Sequence, residues 1–282
     1  MMKKFGSAAL ALTLVGALAV PALAVETPVL ISAKVDDYTT AITLNGEKLD
    51  TTGIPAASRA DLVPLRLVAE ADHGSAYWNQ EDNESWFNFG KDKITVQYEA
   101  NTILVNDVAV NTTAEVHDGV TYVPVAVLEG MEGFTVTSET GSVTITTPNN
   151  DPMVKLAYAI MESSEMFGSR TDEATLTDAY KIPADQFEQV VAFFPMITSP
   201  DTVIVGKLAE GADEKAVTDA LEAYRQSQED TFSWYLSQNL PKVQDARLVV
   251  EDHYVLFLIG ENADAGEAAF HAFVEAQTSQ AD

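Results

Sequence analysis

The 282-residue sequence contains no cysteine, is 46% hydrophobic and has a formal net charge of −27. Without thiols there are no disulfide staples, thiolate metal sites or lipidated cysteine anchors, and the charge disfavours nucleic acid and anionic lipid while favouring solubility, divalent cations or cationic partners. The hydrophobic fraction and regular periodicity argue against a disordered acidic chain, so stability has to come from buried apolar surface in one or two ordinary cores.

Lys3 and Lys4 precede an uncharged apolar stretch from Ala8 to Val20, and Ala22-Leu23-Ala24 has the small-x-small form of a cleavage site. This pattern predicts a secretory signal peptide over residues 1–24, cleaved before Val25. A membrane anchor is the competing reading, but the stretch falls short of the roughly 20 residues a spanning helix needs, and Pro21 interrupts it. No later segment is long and apolar enough to cross a bilayer. The leader has two lysines and no acid, so the mature chain is expected at −29, divided as −13 over residues 25–148 and −16 over residues 149–282. Neither half is a basic module.

Within residues 40–147 the sequence repeats at about sixty residues, a spacing to settle before any judgement of architecture. Ile42-Thr43-Leu44-Asn45-Gly46 returns as Ile103-Leu104-Val105-Asn106-Asp107, and Leu62 to Glu70 returns as Tyr122 to Gly130. Each Val-Pro pair should end an extended segment and open a short helix, because the residue before proline disfavours the helical region while proline suits the first helical turn. Trp86-Phe87-Asn88-Phe89, Ile94 to Tyr98 and Val143 to Thr146 alternate with the period of two of half-buried strands.

On its Asn-Gly, Val-Pro-Leu-Arg and Ala-Glu elements, this half resembles the copper amine oxidase N-terminal-like domain, a duplicated β-rich module common in secreted proteins of Gram-positive bacteria. The second copy departs from the pattern, with Ala126 where the first has Arg66 and no tryptophan answering Trp78. The resemblance implies a stalk or attachment unit. It does not imply oxidase activity, which needs a histidine-ligated copper and a tyrosine-derived cofactor in a separate, larger catalytic domain.

Turn-forming residues from Thr147 to Pro152 predict a domain boundary, giving 25–148 and 149–282. Beyond it, Phe187, Val190, Val191 and Phe194 recur at i, i+3, i+4 and i+7, which predicts a helix ending at Pro195. Residues 202–208 read as a strand. After Gly211, Ala216, Val217, Ala220, Leu221 and Tyr224 share one face of a long helix, with Glu222 and Arg225 outward. Arg247–Val250 and Tyr254–Ile259 read as a hairpin whose second strand is covered on both sides, and a last helix spans roughly Gly266 to Gln277. The expected order is α-α-β-α-β-β-α, an α+β sandwich with helices packed on an antiparallel sheet, so the chain as a whole is α+β.

Phe194-Pro195-Met196-Ile197, Ala223-Tyr224-Arg225 and Asn239-Leu240-Pro241-Lys242-Val243 give this half, over about residues 153–275, a resemblance to a domain of unknown function. That domain is found mainly in secreted proteins and lipoproteins of Firmicutes, and the resemblance implies no activity.

Catalytic signatures are missing. His73, His117, His253 and His271 show no metal-ligand spacing, and there is no nucleophile elbow, phosphate loop or dinucleotide fingerprint. The acidic turn Asn79-Gln80-Glu81-Asp82-Asn83-Glu84 lacks the ligand spacing and glycine of a calcium loop and reads as a solvated hairpin turn. Phe232, Trp234 and Tyr235 read as core or subunit packing rather than a ligand platform. No catalytic, cofactor-binding or metal-ligating residue is assigned, and no cofactor is expected.

These readings favour a non-catalytic exported protein of the cell envelope or extracellular medium that binds or scaffolds, with a cell-wall component or another exported protein as partner. No nucleic-acid partner and no stable membrane insertion after cleavage are expected, and oligomeric state is left open. Two alternatives stand beside it. One is a secreted hydrolase or hydrolase accessory with a site near Thr198-Ser199-Pro200-Asp201 and Asn239; the other is a calcium-dependent surface module.

Overall fold

The computed structural model describes residues 37–195 and 198–279; the expected signal peptide lies outside them, as do Met196 and Ile197. The first half opens with β1 (Ala41–Leu44), β2 (Glu47–Lys48) and β3 (Leu62–Pro64), followed by α1 (Leu65–Ala71). A five-stranded meander follows, made of β4 (Ser75–Asn79), β5 (Glu84–Phe89), β6 (Asp92–Gln97), β7 (Thr102–Val105) and β8 (Val108–Val110). Then come β9 (Glu115–His117), β10 (Val120–Pro124), α2 (Val125–Glu129), β11 (Thr135–Glu139) and β12 (Ser142–Thr146).

The sequence repeat is visible in the fold. Asn45-Gly46 and Asn106-Asp107 both take the left-handed conformations that two-residue hairpin turns need, with φ of 51°, 89°, 50° and 65°. The two Val-Pro strands pair antiparallel with Val63 opposite Val123, so the copies meet across their own repeated motif. Each proline closes its strand and stands at the cap, one residue ahead of the first helical position expected for it. Parallel pairing of β1 with β12 ties the first strand of the half to its last. One apolar core, from Tyr38 to Ile145, fills the space between these sheets.

The second half comprises α3 (Pro152–Ser163), β13 (Ser169–Thr171), α4 (Glu173–Asp178), β14 (Phe187–Phe194), β15 (Thr202–Leu208) and α5 (Glu214–Phe232). It continues through α6 (Leu240–Gln244), β16 (Arg247–Glu251), β17 (Tyr254–Ile259) and α7 (Ala263–Ser279). The start of α3 is fixed by Asp151, whose carboxylate accepts from the Met153 and Val154 amides, with Pro152 in the first turn. The sheet order is β13-β14-β15-β17-β16, antiparallel throughout. On one face, α3 and α7 bury Ile160, Phe270 and Val274 against Val203 and Leu256. On the other, α5 buries Val217, Leu221 and Tyr224 against Ile204 and Phe257. The double covering expected for Tyr254–Ile259 is present, with Val255 to Ile259 all buried.

One element differs from expectation. Residues 187–194 form strand β14, and the helix expected there is absent. A β-bulge between Phe187 and Gln189 shifts the alternation by one residue. Phe187 therefore faces the same core as Val190, Ala192 and Phe194, while Val191 and Phe193 face the opposite core. The bulge creates a three-residue spacing on one face that imitates a helical stripe. β-branched and aromatic residues along a segment of eight decide for strand once two helical layers are available to cover both faces. β13, α4 and α6 were not anticipated either; the observed order over this half is α-β-α-β-β-α-α-β-β-α.

The halves meet through a polar junction. Asp72 is 2% exposed and accepts from Asn45 Nδ2 at 2.9 Å and Thr147 Oγ1 at 2.7 Å. Asn149 Nδ2 donates to the Asp72 carbonyl and Lys155 Nζ to the Asn45 carbonyl. Beside them the His73 ring stacks on Tyr158 of α3, with centroids 3.7 Å apart and planes 7° apart.

Candidate functional site

The Val-Pro-Leu-Arg segment and its repeat assemble a groove in the first half. Pro64 ends β3, and α1 then projects Arg66, Leu67 and Glu70 along one wall. The opposite wall comes from the β9–β10 hairpin of the second copy, through Val116, Val120 and Thr121. Trp78 on β4 and Tyr98 after β6 form the end, and Phe87 lies beneath. The groove has a volume of about 480 Å³, within the range of about 300–1,000 Å³ typical of small-ligand sites.

Its chemistry is mixed. Trp78 is 46% exposed, and its ring lies 5.5 Å from that of Tyr98 at 54°, an open aromatic angle at the mouth. The Tyr98 hydroxyl donates to Ser85 Oγ at 2.9 Å and shares a hydrogen bond of 2.7 Å with Thr121 Oγ1, a line of hydroxyls joining the meander to β10. Arg66 Nη1 donates to Glu70 Oε1 at 3.0 Å, with both side chains about half exposed. Phe87 makes the floor apolar, and Leu67 adds apolar surface to the α1 wall.

Gly74 sets the approach of Trp78. A side chain there would put its Cβ 1.9 Å from the Asn88 carbonyl oxygen and 2.8 Å from that of Ala69, so only glycine lets α1 turn directly into β4.

Sequence reasoning marked Arg66, within the Val-Pro-Leu-Arg element, and Trp78 as positions where the second copy departs from the first. The structure brings these two residues to one groove. Glu70 completes the contrast, since the repeat register puts Gly130 opposite it and Ala126 opposite Arg66. Ser85, Tyr98 and Thr121 were not singled out, and no motif marks them. Asymmetry between the repeats was the usable signal.

The remaining sequence candidates fall elsewhere. Thr198 and Asn239 do meet, with Asn239 Nδ2 donating to the Thr198 carbonyl at 3.2 Å, and Asp201 accepts from Lys242 Nζ at 2.8 Å. Asp201 is 7% exposed, and Glu261 adds a second carboxylate 3.2 Å from the ammonium. Burial works to lower the Lys242 pKa, but the bonds and charges of Asp201 and Glu261 outweigh it and hold the value above the ordinary one. The Asp201 carboxylate is thus engaged by a cation that ties α6 to the start of β15.

In the acidic turn, Asn79 Oδ1 accepts from the Glu81 and Asp82 amides and Nδ2 donates to Asp82, a self-contained hairpin turn. Of the three aromatics read as packing, Phe232 is buried, whereas Trp234 is 80% and Tyr235 43% exposed. The chain leaves α5 at Phe232 and carries the other two outward.

Among the described residues, no group of three or more His, Cys, Asp or Glu side chains is placed to hold a metal ion. His117 pairs with Glu115, His271 with Glu251, and His73 stacks on Tyr158. These positions do not fit a copper centre.

No curated protein and no solved structure matches the chain. Two family matches divide it: residues 43–147 match the family described as copper amine oxidase N-terminal domain, and residues 162–260 match the domain of unknown function DUF4358. The two matches follow one another along the chain in the order the sequence motifs indicate.

Proposed function

We propose that this chain is an exported, non-catalytic binding protein of the cell envelope or extracellular medium, and that its N-terminal half makes the contact. The observation behind this reading is the groove between α1 and the β9–β10 hairpin, in which aromatic faces, hydroxyls and one ion pair surround an apolar floor. Such a surface suits recognition, since convergent polar groups on an apolar wall fix a ligand's orientation. Export rests on the leader pattern of residues 1–24. The DUF4358 half supplies a rigid sheet covered on both faces and serves as the scaffold.

Cosedimentation of the mature chain with purified cell walls, and with the proteins of the culture medium, tests the reading. Saturable binding to one of these, weakened at least about tenfold by Trp78→Ala, which removes a stacking aromatic of the kind that dominates interfaces, is the expected result. Failure to bind either, or binding indifferent to Trp78, contradicts it.

A further inference from the structure

Resting on that reading, we infer that the groove takes a neutral saccharide, with a sugar ring stacked at Trp78 and its hydroxyls paired with Arg66 and Glu70. Four features of the site select this chemistry. First, the open angle between Trp78 and Tyr98 presents aromatic surface that is about half exposed at Trp78, and such surface is covered favourably by a flat apolar face or by a cation. Second, Arg66 and Glu70 present planar groups side by side, one donating and one accepting, both half exposed. The single bond between them uses one of five guanidinium N–H donors and part of the carboxylate's acceptor capacity. Neighbouring hydroxyls on a sugar ring each donate and accept, so they satisfy both groups at once.

Third, the charge of the site excludes other classes. The ion pair makes the groove locally neutral, while the whole chain stands at −27 and repels anionic ligands. A cation drawn by that field would meet the positive charge of Arg66 at the wall, which also balances the charge of Glu70. Fourth, a wholly apolar ligand would strip water from Arg66 and Glu70 without replacing its hydrogen bonds, at a cost that grows with burial. A ligand with apolar faces and hydroxylated edges but no net charge meets all four conditions. The second copy, with Ala126 and Gly130 at the positions of Arg66 and Glu70, has neither planar group to offer.

The test uses the mature full-length chain labelled with ¹⁵N. The protein has three tryptophans, so three indole N–H signals report on three places, assigned by Trp→Phe variants. The probes are triacetylchitotriose, maltotriose, hexalysine and a neutral hexapeptide. A saturable shift of the Trp78 indole with a trisaccharide is expected, with the Trp234 signal unmoved. Affinity should fall at least tenfold in Trp78→Ala and in Glu70→Gln, both exposed substitutions whose folding is checked by an unchanged melting temperature.

If neither trisaccharide moves the Trp78 signal while cell walls still bind in a Trp78-dependent manner, the saccharide inference fails and the binding reading survives. A Trp78 shift with hexalysine or with the hexapeptide, in place of the sugars, also overturns it. Loss of wall and medium binding altogether removes both.

Discussion

His73 stands where the two halves of the chain meet, in a left-handed conformation with φ of 60°, its ring face to face with Tyr158. Burial pushes its imidazole below the ordinary value of 6.5, against the opposing pull of Asp72, Glu162 and Glu47. Since the folded chain rejects this proton, the stability it contributes is complete above pH 6.5 and is lost as the pH falls below that value. His271 behaves oppositely. Its hydrogen bond to Glu251, reinforced by the charges of Glu251 and Glu267, holds it above 6.5, so its contribution is complete below that pH and is lost as the pH rises through the folded value. The His271 side chain is 47% exposed and its pairing is screened by solvent, so its limb should be shallow. Between about pH 5 and 8, the range in which histidines titrate, the melting temperature should pass through a maximum near 6.5. His73→Phe should flatten the acid limb and His271→Gln the alkaline limb. An acid limb unchanged in His73→Phe would show that packing against Tyr158 does not disfavour the charged imidazole.

At the scale of elements, the bulge in β14 explains both what the sequence disclosed and what it concealed. Alternation at Trp86–Phe89 and Ile94–Tyr98, the Val-Pro pairs, and the stripe from Val217 to Tyr224 all correspond to elements in the fold, and none of them is interrupted by a bulge. Phe187 and Val190 misled because one extra residue brings both to the same face. The groove was concealed for a different reason: Arg66 and Trp78 are legible as breaks in the repeat, but their approach to Tyr98 and Thr121 arises from the pairing of β3 with β10, which no local pattern encodes. The bulge also makes a prediction. Gly206, opposite Val190, leaves room for the Phe187 ring, and a Cβ there would fall 2.5 Å from that ring and 2.8 Å from the Gln189 carbonyl oxygen. Gly206→Ala should destabilise the chain by about 1–3 kcal/mol through overpacking, measured by urea unfolding. In a Phe187→Ala background the same substitution should cost less, since the ring is gone and only the backbone contact remains. Equal costs in the two backgrounds would contradict the packing assigned to the bulge.

Across the whole molecule, the strongly acidic surface and the locally neutral groove point in different directions. The charge of −27 repels anions at long range, whereas the contact proposed for the groove would act through shape, stacking and short-range hydrogen bonds. Two aromatic positions separate these roles: Trp78 at the groove mouth is 46% exposed, and Trp234 after α5 is 80% exposed. Oxidative footprinting of both tryptophans, with and without purified cell walls, compares them within one sample. The account predicts that walls slow the oxidation of Trp78 severalfold and leave Trp234 as reactive as in the free protein. Protection of Trp234 with Trp78 still reactive would place the contact in the other half of the chain and contradict the account.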